Sequence, residues 1–462
     1  FSRRIMSTEH SKRAARFIAD AEKTSWHDAT FWSVREKRDK MAQELPEWED
    51  LREQASQIKK HTITHLADYL EQFSDCLESR GVKVHWAKDA AEFNETVLSI
   101  LQSHGVKKMV KSKSMLTEEC EMNPYLEQHG IDVVETDLGE RIIQLLDQKP
   151  SHIVMPAIHL KREEVGRMFE EKGISKEKGN YDPTYLTRCA RLHLRDQFMQ
   201  AGAGMTGCNF GVAATGDCVV CTNEGNADMT TSMPKLHIVA MGIEKLVPDY
   251  KSLAVFQRLL CRSATGQPTT AFTSHFRQAR PGAEMHVVLV DNGRSDMLAD
   301  SDHWQTLKCM RCGACMNTCP VYRRSGGYSY TYFIPGPVGV NLGMLRDPKK
   351  YSDNVSACTL CLSCDNVCPS KVGPGSQIYV WRQSLEKLGK ADPIKKIMSA
   401  GMEYLFDRPA LYTTALKFAP LANYVPDCCT HFSNINAWGI GHAMPTFAKK
   451  SFHELWKEGK VK

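Results

Sequence analysis

Eight cysteines fall into two runs of identical form. Cys309, Cys312, Cys315 and Cys319 precede Pro320, and Cys358, Cys361, Cys364 and Cys368 precede Pro369. Each run reads C-x2-C-x2-C-x3-C-P, the spacing for a cubane [4Fe-4S] cluster. Two-residue gaps let one tight loop bring three thiolates to three iron corners, and the proline then directs the chain away. The fourth cysteine lies too far along to complete its own site, so in two-cluster proteins it ligates the other cluster. The expected sets are Cys309, Cys312, Cys315 and Cys368 for cluster 1, and Cys319, Cys358, Cys361 and Cys364 for cluster 2. Zinc sites usually separate two C-x2-C pairs by a dozen or more residues, a gap that neither run contains. Such all-cysteine clusters carry electrons and leave no coordination site for group chemistry.

The remaining chemistry-bearing residues depend on the elements that carry them. A helix through Leu66, Leu70, Phe73 and Leu77 stops near Gly81. Val82 to Trp86 reads as a strand, Ala90 to His104 as a helix, and Lys107 to Lys111 as a strand. Ile131 to Glu135, Ile153 to Ile158 and Val287 to Val290 read as further short strands. Strands alternating with helices predict a parallel or mostly parallel sheet covered on both faces. Ligands of open α/β sheets bind beyond the carboxyl ends of the strands. Lys111, Lys113, Asp137 and Glu140 follow such strands, and Glu224 and Asn226 sit in a later turn. They are the candidate substrate residues, with lysines suited to a carboxylate or phosphate. Solvated strand-end lysines are the plainer reading. The glycine-rich stretch from Gly202 to Gly211 lacks the G-x-G-x-x-G pattern of a dinucleotide fold.

Other motifs carry less. Cys218 and Cys221 lie in a predicted strand, where residues three apart point to opposite faces, so they read as buried thiols. His152 and His159 flank an apolar stretch and read as satisfied polar groups. Arg188, Arg191 and Arg195 share one helical face, open to a carboxylate, to solvent or to a partner. The adjacent Cys428 and Cys429 suit neither a relaxed disulfide nor a common metal site.

The chain has 462 residues, 42% hydrophobic and 24% charged, as in ordinary globular domains. A formal charge of +5 over this length argues against nucleic acid as main partner. No run of 18 apolar residues occurs, leaving a protein free of the bilayer or peripheral to it. The amino terminus has no apolar export segment, and 17 cysteines suit a reducing compartment, so a cytoplasmic location is expected. The expected division is a helical arm over 1–54, an α/β domain over 55–296, a cluster domain over 297–384 and a helical, irregular docking domain over 385–462.

The segments Lys111-Ser-Lys-Ser-Met115, Thr136-Asp-Leu-Gly-Glu140, Gly207-Cys-Asn-Phe-Gly211 and Asn223-Glu-Gly-Asn226, followed by the paired cysteine runs, resemble the lactate utilisation protein B family. The resemblance extends from about residue 30 to the Lys449–Trp456 tail. It implies a LUD domain related in fold to the ribose-phosphate isomerase and coenzyme A transferase group, followed by a ferredoxin domain and a small carboxyl-terminal domain. The 38-residue insert between the cysteine runs resembles helical ferredoxins of membrane and heterodisulfide-type reductases. The family also implies a three-protein system oxidising L-lactate to pyruvate, with a cysteine-rich CCG-domain subunit and a smaller LUD-domain subunit as partners. Glu224 matches the turn where related transferases place a catalytic glutamate. A ligand-orienting role suits it better, because this oxidation needs no acyl-glutamate intermediate. Three functions stay open: electron relay in lactate oxidation, the same for another hydroxy acid such as glycolate, or an assembly scaffold with structural clusters.

Overall fold

The computed structural model describes residues 8–387, 389, 393–425 and 446–461. Ten strands occur among them: β1 Lys83–Ala87, β2 Lys108–Lys111, β3 Asp132–Glu135, β4 Ala203–Gly207, β5 Phe210–Val212, β6 Asp217–Thr222, β7 Leu236–Gly242, β8 Leu246–Val247, β9 Phe272–Phe276 and β10 Glu284–Val290. Six form a sheet in the order β1-β10-β7-β4-β2-β3, and every pairing in it is parallel. The central β4 and β7 are buried along their whole length, as strands covered on both faces must be. Phe93, Val97 and Leu101 of the helix Ala90–Ser103 pack on one face with Met109, Met205 and Ile238. Phe73 and Leu77 of the helix Leu66–Glu78 pack on the other with Val239, Met241 and Val287. A second sheet, β8-β5-β6-β9, mixes parallel and antiparallel pairs.

One expected strand does not form. Residues 151–160 are bends and turns, because their backbone donors are spent locally. The N–H groups of Val154 and Met155 both donate to His152 Nδ1 at 3.0 Å, and Pro156 has no N–H to offer. The segment lies against the first cysteine run, with His152 Nε2 3.0 Å from Asn317 Oδ1.

The amino-terminal helices Glu9–Ile18, Ala21–Gln43 and Trp48–Thr64 brace the cysteine region. His27 bonds the carbonyl of Arg323 at 2.7 Å, and Arg38 donates to the carbonyl of Val367 at 3.1 Å. Residues 9–382 form one compact unit and residues 1–8 with 383–462 another. The second contains the helices Pro393–Phe406, Pro409–Phe418 and Phe452–Lys457. Cys428 and Cys429 lie outside the described residues. No described helix is long and apolar enough to cross a membrane.

Candidate functional site

The two cysteine runs fold alike. Arg311 and Leu360, each two residues after the first cysteine, have φ of 61° and 55°, and Gly313 and Leu362 have φ of 79° and 57°. These left-handed residues curl each loop so that main-chain amides face sulfur: Arg311 N donates to Cys309 Sγ and Leu360 N to Cys358 Sγ, both at 3.4 Å. At the fourth cysteines, Tyr322 N reaches Cys319 Sγ at 3.5 Å and Val372 N reaches Cys368 Sγ at 3.3 Å. Each loop then enters a short helix, Ala314–Thr318 or Ser363–Val367.

Cys309, Cys312, Cys315 and Cys368 line one small cavity together. Cys319 lies close enough to Cys358 and Cys361 for their charges to act on it, as Cys319 and Cys358 do on Cys364. All eight cysteines are free thiols. Burial pushes the thiols of Cys312, Cys315 and Cys368 up, so their thiolates need cationic partners. Among the described residues no three cysteine sulfurs lie within 4.8 Å of one another. A single zinc with sulfur at about 2.3 Å would draw its ligands to about 3.8 Å, whereas a cubane spreads them further. The donor set fits two [4Fe-4S] clusters.

A cavity of about 340 Å³ opens beside the first run, at the carboxyl ends of the large sheet. Cys312 and Arg311 form part of its wall, opposite Lys113, Asp137, Glu224 and Asn226. These four were candidates from the sequence. Lys113 N donates to Asp137 Oδ2 at 2.8 Å and its Nζ pairs with Glu140 Oε1 at 3.0 Å. Asn226 Nδ2 donates to the same Asp137 oxygen at 2.7 Å, and Glu224 Oε2 accepts from Leu138 N at 3.1 Å. The Glu224 side chain is exposed at the cavity wall, yet desolvation there and the neighbouring Asp137 push it up to about 7; burial raises Asp137. Glu224 is thus poised to exchange a proton near neutrality.

The other two candidates lie outside the cavity lining. Lys111 is fully buried behind it, 2.7 Å from Glu135 and 3.3 Å from Glu118. Burial alone would lower its pKa, but the two carboxylates outweigh burial and raise it. Glu140 is buried and reaches the site through Lys113.

Sequence reasoning missed five charged residues of the cavity wall: Glu119, Glu244, Lys245, Arg294 and Arg311. Arg294 is neutralised by Glu119 at 2.9 Å and Glu244 at 2.5 Å. Arg311 differs, since its Nη1 is buried with no hydrogen-bond partner. Burial lowers the pKa of Lys245 nearby. An arginine inside the first C-x2-C gap was a readable signal of charge beside the cluster. The Cys218 and Cys221 thiols on β6 are free, and burial pushes Cys221 up to about 12. His159 is held by Ser151 Oγ at 2.8 Å.

A parallel α/β domain joined to a paired cysteine fold defines an iron–sulfur redox protein. Residues 70–295 match the LUD domain and residues 305–372 the 4Fe-4S dicluster domain. The chain is 42% identical to lactate utilization protein B of Bacillus pumilus (strain SAFR-032), over 84% of this chain and 83% of that protein. It is 40% identical to lactate utilization protein B of Bacillus cytotoxicus, covering 91% of each. It is 39% identical to an uncharacterized electron transport protein of Escherichia coli (strain K12), over 91% of this chain and 90% of that one. The chain belongs to the lactate utilization protein B family and carries two [4Fe-4S] clusters.

Proposed function

We propose that this chain is the iron–sulfur subunit of a complex oxidising L-lactate to pyruvate, and that the cavity beside Cys312 receives the hydroxy acid. The observation that carries this reading is shared walling: a cysteine of the cluster 1 set lines the same cavity as Lys113, Asp137, Glu224 and Asn226. Cluster 1 takes Cys309, Cys312, Cys315 and Cys368, and cluster 2 takes Cys319, Cys358, Cys361 and Cys364.

Oxidation of lactate to pyruvate releases two electrons and two protons. The bound clusters supply two one-electron acceptors. Arg311 and Lys245 hold the carboxylate. Glu224, held near neutrality, accepts the hydroxyl proton, and the Cα proton leaves to solvent as the two electrons pass singly to the clusters, while Asn226, Asp137 and Lys113 fix the shape of the wall. The cysteine-rich CCG-domain subunit and the smaller LUD-domain subunit complete the system and take the electrons onward. Residues 55–296 serve as the LUD domain, related to the ribose-phosphate isomerase and coenzyme A transferase folds. Residues 297–384 serve as the ferredoxin domain, braced by the 1–54 arm, and 385–462 dock a partner. The thiolate-rich site suits the reducing cytoplasm.

Anaerobic mixing of the assembled complex with lactate or glycolate tests the reading. Lactate should bleach the clusters' visible absorbance as they are reduced. Reduction by glycolate alone would transfer the role to that acid, and no reduction by either would leave the clusters structural.

A further inference from the structure

We propose that His104, Glu284 and His286 form a site for a divalent transition-metal ion at the amino-terminal edge of the large sheet, opposite the edge that bears the cavity. Glu284 and His286 are two residues apart on β10 and therefore project from the same face. His104 follows the helix Ala90–Ser103, which connects β1 to β2. His104 Nε2 lies 3.4 Å from Glu284 Oε1, and His286 Nε2 lies 3.6 Å from Glu284 Oε2. All three ligand atoms fall within 4.8 Å of one another.

Hydrogen bonds on the far side of each ring prepare the histidines. His104 Nδ1 is 2.8 Å from the carbonyl of Ile100, which can only accept, so Nδ1 carries the proton and Nε2 presents its lone pair. His286 Nδ1 is 3.0 Å from His85 Nε2 on the neighbouring β1, and the two rings stack with 3° between their planes. His286 is only 4% exposed, and its Nε2 has no hydrogen-bond partner. Buried polar atoms are almost always satisfied, and a metal ion between His104 and Glu284 would satisfy this one.

Two imidazoles and a carboxylate carry one negative charge and offer borderline nitrogen and oxygen donors, a set suited to zinc and its neighbours. Lys83 Nζ now sits 2.5 Å from Glu284 Oε2. Its exposed, flexible ammonium holds the cation's place and can swing to water when the metal enters. Three protein ligands leave a fourth position for water. The bound ion would tie the helix Ala90–Ser103 to β10 and, through His85, to the edge strand β1.

The test uses the anaerobic protein with both clusters loaded, stripped of loose metal by a chelator and titrated with Zn²⁺. One zinc per chain should bind with iron content unchanged. Zinc-edge X-ray absorption should show only nitrogen and oxygen neighbours, at about 2.0–2.2 Å. His104→Ala, at a partly exposed position, should weaken binding at least tenfold and abolish the zinc-dependent rise in Tm seen in the parent chain. Absence of zinc uptake, a sulfur shell at about 2.3 Å, or unchanged affinity in His104→Ala would each overturn the assignment.

Discussion

Arg52 Nε donates a 3.0 Å hydrogen bond to the carbonyl of Cys368, joining the helix Trp48–Thr64 to the end of the second cysteine run. Glu49 holds the same guanidinium at 2.8 Å. Arg52→Ala removes this charge-assisted bond and leaves the carbonyl only the 3.4 Å bond from Lys371 N, a loss of about 1–3 kcal/mol. The urea midpoint should fall, and the visible absorbance should bleach faster in air than in the parent protein.

Arg294 lies buried between Glu119 and Glu244. Burial alone would raise Glu244, yet Arg294 holds it down to about 2. Arg294→Met strands two buried carboxylates and should cost about 3–5 kcal/mol in denaturant titration. The sign of the acid effect follows from the depressed value: the Glu244 contribution is present above about pH 4.5 and disappears as pH falls through about 2. Stability of the parent should decline across that window more steeply than that of an Arg294→Met, Glu244→Gln double variant.

For Glu224 the sign reverses. Its carboxyl is pushed up to about 7, so its proton-bound form is favoured by folding. Its stabilising effect is complete below about pH 4.5 and is lost as pH rises through about 7. Proton acceptance needs the opposite form, so lactate-dependent cluster reduction should accelerate as pH rises through about 7. Stopped-flow traces of Glu224→Gln should be slower by about 10²–10⁴-fold and lose that pH step; an unaltered profile would remove Glu224 from proton transfer.

Gly327 tests the contact between the cluster loops and the α/β domain. A Cβ there would lie 2.1 Å from the carbonyl oxygen of Ser151, the same atom that accepts a 2.6 Å bond from Tyr322 Oη. Gly327→Ala must push residue 151 away and break that bond. Iron per chain should fall below eight, as measured by metal analysis, whereas Gly401→Ala should keep its iron because its backbone is helical and nothing lies within 4 Å of the added carbon.

The cysteine loops were legible because their turns follow from local spacing, and the same left-handed residues recur at Arg311 and Leu360. The parallel sheet was legible through its short β-branched runs. The cavity was only partly so. Lys113 and Lys111 look equivalent in sequence, yet Lys111 is the last residue of β2 and lies in a buried carboxylate pair, whereas Lys113 follows the strand end and reaches the cavity. Residues 153–158 have a strand's composition, but His152 captures their donors. Lys245 and Arg294 meet Arg311 only through the crossing of distant elements, which no single-chain pattern records.

Arg311 and Cys312 belong at once to a cysteine loop and to the wall of the large cavity. On the proposed function, cluster loading and substrate binding share one loop, so loss of cluster 1 should disturb the cavity wall as well. Under that proposal a copy of the chain lacking its clusters would be impaired twice over, and iron supply would govern how many copies can work.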